Sequence, residues 1–219
     1  MTGSALTPVV FDLDGTLADT LGDITEAANQ LLEGEGIGPL PRATVAGFVG
    51  WGDVVFVERL MAETGLDPER KDALRARFLP IYEACSQDTK LFDGVAEVLQ
   101  AFAARGVPLG ICTNKPSGPL AHVLQGLPEA SLFSAVVAGD SLPQRKPDPA
   151  PLRLAFEQLG AQSGLYVGDT IVDAQCAQRA GVPFAFFKGG IGATPLDQIS
   201  CDLAFDDFAD LLGFYDGLA

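Results

Sequence analysis

Val9-Val10-Phe11-Asp12-Leu13-Asp14-Gly15-Thr16-Leu17-Ala18-Asp19 decides how the rest of the chain reads. Three apolar, strand-favouring residues run into two aspartates one residue apart, then a turn former and a hydroxyl. The spacing predicts a short buried strand with both carboxylates at its C-terminal end, the edge where an open parallel α/β sheet holds its ligands. Alternation along an extended chain points Asp12 and Asp14 the same way. Like charges so placed repel, and a bound cation or a shared proton relieves them.

Downstream of this strand the pattern changes. Leu21, Ile24, Ala27, Ala28, Leu31 and Leu32 recur at helical spacing, and three further helical stretches follow up to about Asp88. Such a run is far longer than an ordinary connection after a strand. Beyond Asp93-Gly94 helix and strand alternate, with strands expected at Pro108 to Thr113, Ala135 to Ala138, Gly164 to Val167, Phe184 to Phe187 and Asp202 to Phe205. Alternation of this kind builds a parallel sheet with right-handed crossovers. The expected fold is therefore α/β: a Rossmann-like parallel sheet wrapped by helices, with an all-helical cap inserted after the first strand. The core takes residues 1–18 and 91–219, and the cap residues 19–90.

Composition narrows the function. The 219 residues, 47% hydrophobic with 14 phenylalanines, suit a globular domain with an insertion. A net charge of −15, from 29 acids against 14 bases, argues against nucleic acid and anionic membranes as partners. Any anion site must then be locally positive or hold a metal. The N-terminal residues carry neither a basic region nor an apolar core, and no apolar run is long enough to span a membrane. Cys85, Cys112, Cys176 and Cys201 have no paired spacing and His122 is the single histidine, which argues against zinc. A reduced, cytoplasmic chain is the expectation.

The chemistry-bearing residues fall at the ends of the expected strands. The first gives Asp12 and Asp14, and the strand after the insert gives Thr113 and Asn114. Lys146 comes from the loop Arg145-Lys146-Pro147-Asp148-Pro149, and Asp169 from the next strand, with Asp173 one helical turn on. Four carboxylates facing one lysine call for a hard cation with oxygen ligands, which points to Mg²⁺. Thr113 and Lys146 are then donors to a phosphate held beside the metal, the arrangement phosphoryl transfer requires. Taken alone, Thr113-Asn114 also reads as a strand-to-helix turn, and Asp173 as a first-turn acid answering the helix dipole.

Together the four segments Asp12-Leu-Asp14-Gly-Thr-Leu, Thr113, Lys146-Pro-Asp-Pro and Gly168-Asp169-Thr-Ile-Val-Asp173 resemble the motifs of the haloacid dehalogenase-like superfamily, in that family's order. The helical insert, Gly47-Phe48-Val49-Gly50-Trp51-Gly52 and Leu91-Phe-Asp-Gly-Val95 are similar to its phosphoglycolate phosphatase subgroup. The resemblance implies that Asp12 is the nucleophile and that Asp14 protonates the leaving alkoxide, later serving as base toward water. It implies Mg²⁺ held by Asp12, the main-chain carbonyl of Asp14 and Asp169, with Asp173 in support. Thr113, the Asn114 amide and Lys146 hold the phosphoryl oxygens.

The reading expected is a Mg²⁺-dependent phosphatase of a small phosphorylated metabolite, 2-phosphoglycolate first by resemblance, acting as a monomer or homodimer. A phosphosugar phosphatase or mutase of the same superfamily shares the core. A phosphate-receiver signalling module combines Asp, Thr and Lys similarly but has no helical insertion after its first strand, and an insert suits an enzyme whose site must close against water.

Overall fold

Val9, Val10 and Phe11 form the strand β1 (Val9–Phe11), and all three are buried completely. The computed structural model describes residues 6–86, 89–192 and 195–218. Residues 87 and 88, at the end of the expected insert, lie outside the described residues, as do residues 1–5. After β1 come β2 (Ala18–Asp19) and the helices α1 (Leu21–Glu33), α2 (Arg42–Ala46), α3 (Asp53–Thr64) and α4 (Lys71–Cys85). The chain then returns through β3 (Lys90–Leu91), which pairs antiparallel with β2. The remainder alternates: α5 (Val95–Ala104), β4 (Leu109–Cys112), α6 (Ser117–Gly126), β5 (Phe133–Val137) and α7 (Ala150–Gln158). It ends with β6 (Leu165–Gly168), α8 (Ile171–Ala180), β7 (Phe184–Phe187), β8 (Leu203–Phe205) and α9 (Ala209–Asp216).

Six strands join in one sheet in the order β5-β4-β1-β6-β7-β8, each neighbouring pair parallel. Side-chain alternation splits every inner strand between two cores. Val9, Phe11, Ile111 and Val167 enter the cluster shared with α5 and α9, while Val10, Cys112 and Tyr166 enter the one shared with α7 and α8. Burial on both faces is why these strands read as continuous apolar runs. Consecutive strands β4 and β5 lie on one side of β1, and β6 to β8 on the other. That reversal opens a crevice at the C-terminal ends of β4, β1 and β6.

The helices between β2 and β3 bury a separate cluster. Phe56 and Phe78 stack with ring centroids 5.0 Å apart, Tyr82 stacks on Phe78 at 5.3 Å, and Ile24, Leu31, Leu60 and Leu74 fill in around them. The sequence foretold this helical insert, but not the β2–β3 pair, whose two-residue strands are too short for any periodicity to register. Among the described residues no helix is long and apolar enough to cross a membrane.

Candidate active site

Each expected site residue emerges at the crevice. Asp12 follows β1 directly, Thr113 and Asn114 follow β4, and Asp169 follows β6. Asp173 sits in the first turn of α8, and Lys146 comes from the loop ahead of α7.

Asp12, Asp169 and Asp173 are all buried, and one carboxylate oxygen from each lies within 4.8 Å of the others. Lys146 stands among them, its Nζ 2.9 Å from Asp12 Oδ1 and 2.7 Å from Asp173 Oδ1. It also donates to the Tyr166 hydroxyl at 2.8 Å. Asp173 is pinned from several sides. Its Oδ1 accepts from Tyr166 at 2.7 Å, and its Oδ2 accepts the Thr170 N–H at 3.1 Å, part of a capping box that opens α8. Asp169 accepts the Thr16 hydroxyl at 2.8 Å on Oδ1, and the N–H groups of Ile191 and Gly192 at 2.9 and 3.2 Å on Oδ2. On Asp12, the Leu13 N–H at 2.7 Å and the Lys146 ammonium both fall on Oδ1, leaving Oδ2 the less encumbered oxygen.

Gly15 makes this packing possible. Its φ is +86°, and a Cβ there would stand 2.3 Å from Asp169 Oδ2, so the turn after Asp14 and the approach of Asp169 both demand glycine.

Three buried carboxylates against one ammonium leave an excess of negative charge. Burial, opposed by Lys146 and reinforced by Asp173 and Asp14, pushes Asp12 from 3.8 up to about 7. Asp169 is raised as well, by burial first and then by Asp173 and Asp12. Asp173 goes the other way: burial works against ionisation, but Lys146 and the hydrogen bonds from Lys146, Thr170 and Tyr166 hold it below its ordinary value. Burial also acts to lower Lys146, yet Asp12 and Asp173 keep it above the usual lysine range. Asp173 and Lys146 are therefore the settled ion pair, and Asp12 and Asp169 carry the surplus. A cluster of hard oxygen donors with surplus negative charge fits a divalent cation of the Mg²⁺ type.

Asp14 stands apart from that trio. Its Oδ1 receives the ammonium of Lys115 at 3.1 Å, so four carboxylates meet two buried lysines rather than the one expected. The Lys115 side chain is 0% exposed; it also donates to the Tyr82 hydroxyl and lies 4.1 Å from that ring's centroid. The Thr113 hydroxyl accepts the Lys115 N–H at 3.1 Å. Asn114 is differently employed: its carboxamide donates to the carbonyls of Gly50 at 3.0 Å and Lys146 at 2.9 Å, and accepts the Lys146 N–H at 3.0 Å. With the side chain so occupied, its main-chain N–H is the amide left for a ligand.

Between the strand ends and the helical insert lies a cavity that is partly open to solvent. The sheet side supplies Asp12, Asp14, Thr113 and Lys115, and the insert supplies rings such as Phe48 and Tyr82. A second bridge stands beside it, where Arg145 meets Asp53 Oδ1 at 2.7 Å and Arg75 takes Asp53 Oδ2. The sequence alone does not place Lys115, Tyr166, Tyr82 or the Arg145–Asp53 pair at the site. A lysine at the exit of a buried strand and a tyrosine inside one were the available signals. The pairing of Arg145 with Asp53 spans 92 residues and left none.

Arg59 and Trp51 do not line the cavity; the guanidinium lies 5.6 Å over the indole and donates to the Gly47 carbonyl at 2.8 Å.

Residues 9–187 match the family described as haloacid dehalogenase-like hydrolase. The chain is 41% identical over 210 residues to a phosphoglycolate phosphatase of Cereibacter sphaeroides, covering 93% of this chain and 96% of that one. It is 42% identical over 218 residues to a phosphoglycolate phosphatase of Rhodospirillum rubrum, covering 94% and 90%. A solved structure from Haemophilus somnus 129PT, described as a predicted phosphoglycolate phosphatase, superimposes with a TM-score of 0.87 at 30% identity over 97% of this chain and 99% of that one. With that coverage on top of the site geometry, the chain belongs to the haloacid dehalogenase-like hydrolases.

Proposed function

We propose that this protein is a Mg²⁺-dependent phosphatase that converts 2-phosphoglycolate to glycolate and phosphate through an aspartyl-phosphate on Asp12. The observation that carries the reading is the buried Asp12–Asp169–Asp173 cluster around Lys146, with Asp12 lining the cavity beside it. The relatives' name, phosphoglycolate phosphatase, supports the choice of substrate.

Asp12 Oδ2 attacks phosphorus as the bond to the ester oxygen breaks, and Asp14 gives its proton to the departing alkoxide. Water then attacks the aspartyl-phosphate, Asp14 takes the proton back, and phosphate is released. Thr113, the main-chain N–H of Asn114 and Lys146 hold the phosphoryl oxygens; Lys146 arrives preset by its ion pair with Asp173. Asp12, Asp169 and the main-chain carbonyl of Asp14 are the metal's holders, while Asp173 steadies them through Lys146 and Thr170. When bound, Mg²⁺ supplies Lewis-acid stabilisation of the charge spread over the phosphoryl oxygens. Residues 19–90 serve as the cap over a core of residues 1–18 and 91–219, and the cap's cover over the strand ends limits the access of bulk water to the aspartyl-phosphate.

Phosphate release by the purified protein tests this. With Mg²⁺, 2-phosphoglycolate should head a panel of phosphomonoesters, and chelation by EDTA should abolish turnover. No phosphate from any monoester, or undiminished turnover in EDTA, would overturn the reading.

A further inference from the structure

Lys115 is conspicuous among the groups around the cavity. Arg145 and Arg75 are both committed to Asp53, and Lys146 to Asp12 and Asp173. Among the described residues that line the cavity, Lys115 is the one cation. Its ammonium is fully enclosed, 3.1 Å from Asp14 Oδ1, and its other partner is the hydroxyl of Tyr82, which belongs to the insert. The walls beyond are largely apolar, with Phe48, Phe56 and Phe78 among them. A buried ammonium in such surroundings needs anionic or strongly polar partners, and any anion entering the cavity gains from meeting it.

We infer that Lys115 is the receptor for a carboxylate on the leaving group, so that the site selects O-phosphorylated 2-hydroxy acids as a class. The inference rests on the phosphatase reading above. Under that reading the ester oxygen sits at Asp14, the proton donor. A 2-hydroxy acid carries its carboxylate one carbon beyond that oxygen, and the nearest cation to Asp14 is Lys115. The ammonium has three donors and can serve Asp14, Tyr82 and the incoming carboxylate together. Tyr82 then ties recognition to the insert: the lysine that meets the substrate is already bonded to the helix that walls it in. A neutral leaving group of equal size leaves that ammonium without a further anionic partner. Because Lys115 also touches Asp14, its loss will slow every substrate somewhat, and only the ratio between substrates reports on carboxylate recognition.

The test compares 2-phosphoglycolate with ethyl phosphate, in which a methyl group replaces the carboxylate, on the full-length protein with Mg²⁺. The wild type should favour 2-phosphoglycolate in kcat/KM. In Lys115→Met that preference should fall about 10- to 100-fold, the worth of one charge-assisted hydrogen bond, chiefly through KM. Lys115→Arg keeps the charge and should recover part of the preference. Circular dichroism establishes that each variant is folded; should the methionine variant fail that check, Lys115→Gln takes its place. An unchanged ratio with both substrates slowed alike overturns the inference, leaving Lys115 a positioning residue for Asp14. A wild type that hydrolyses both esters without preference overturns it too, while the phosphatase reading stands. A wild type that releases phosphate from neither ester overturns the phosphatase reading, and the inference falls with it.

Discussion

The two halves of the cavity are built differently. On the sheet side the carboxylates of the buried cluster are held by several groups: Asp173 by Lys146, Tyr166 and Thr170, and Asp169 by Thr16, Ile191 and Gly192. On the helical side the walls are packed rings with an aliphatic surround, and the polar contacts that join the halves around the cavity include Asn114 to Gly50, Lys115 to Tyr82 and Arg145 to Asp53. A reacting group must be fixed closely for rate, whereas a wall must fit and exclude water. Under the proposed function the phosphoryl group, common to every phosphomonoester, is met by the fixed half. Under that reading the leaving group, which varies, meets Lys115 and the rings of the half that sits on a separate hydrophobic cluster.

The harshest way to break the division is at the fixed half's centre. Asp12→Asn should lower kcat by more than ~10³-fold, since the amide cannot attack phosphorus. Its fold should survive, because the change removes a charge from an overcharged cluster. Phosphate-release kinetics beside circular dichroism check both halves of the claim. A folded variant with a sizeable share of wild-type kcat would move the nucleophile elsewhere.

Next in size is a linkage between protons and metal. Asp12 sits at about 7, and a metal ligand must be deprotonated. Apparent Mg²⁺ affinity should therefore weaken as pH falls below about 7, by up to ~tenfold per pH unit for one displaced proton. The same shift sets the stability of the metal-free protein. A folded pKa of about 7 against 3.8 contributes stability that is complete below 3.8 and is lost as pH rises through 7. Added Mg²⁺ should restore it above pH 7. Calorimetric titrations and thermal melts in EDTA and in Mg²⁺ measure both, and a pH-independent affinity would mean the cluster is ionised without the cation.

Asp53 probes the other half. Its side chain is only 1% exposed and is shared by Arg75 within the insert and Arg145 from the sheet side. Asp53→Asn leaves two guanidinium groups facing a neutral amide, so the insert's seating should loosen while the carboxylate cluster stays as it is. KM should rise about tenfold, the lower end of a charge-assisted hydrogen bond, with the Mg²⁺ requirement unchanged. Metal titrations that shift in step with KM would show the two halves to be one mechanical unit.

How much of this was legible in the sequence follows the same division. Asp12, Asp14, Asp169 and Asp173 were readable because each follows or closely trails a run of apolar strand residues, and strand ends in a parallel sheet converge. Lys146 was readable from its place ahead of a helix, in the same circuit. The insert's helices announced themselves by periodicity through Leu31, Leu60 and Phe78. What sat across the cavity was hidden. Lys115 and Tyr82 are 33 residues apart, and Asn114 and Gly50 are 64 apart. Local pattern carries nothing about which loop of one half touches which helix of the other. Nor did residue type reveal that the Asn114 side chain would be spent on two main-chain carbonyls.

The smallest expected effect lies in the linker between the halves. Thr20 joins β2 to α1, is completely buried, and its Oγ1 has no hydrogen-bond partner among the described residues. It holds the N-cap position of α1 without making the side-chain bond that a threonine there usually provides. A buried hydroxyl without a partner costs about 1–3 kcal/mol of desolvation, and valine has nearly the same shape. Thr20→Val should therefore leave stability unchanged or raise it by about 1 kcal/mol, since no capping bond is lost. Because Thr20 lies outside the cavity lining, kcat/KM should not move. Thermal melting and steady-state kinetics read the two quantities separately. A fall in melting temperature would mean that the hydroxyl is satisfied in solution, by water reaching a linker that the packing describes as dry. A change in kcat/KM with stability unaltered would mean something stronger: that the linker's conformation is felt at Asp12 and Asp14, and that the fixed half is less independent of the helical half than its hydrogen bonds imply.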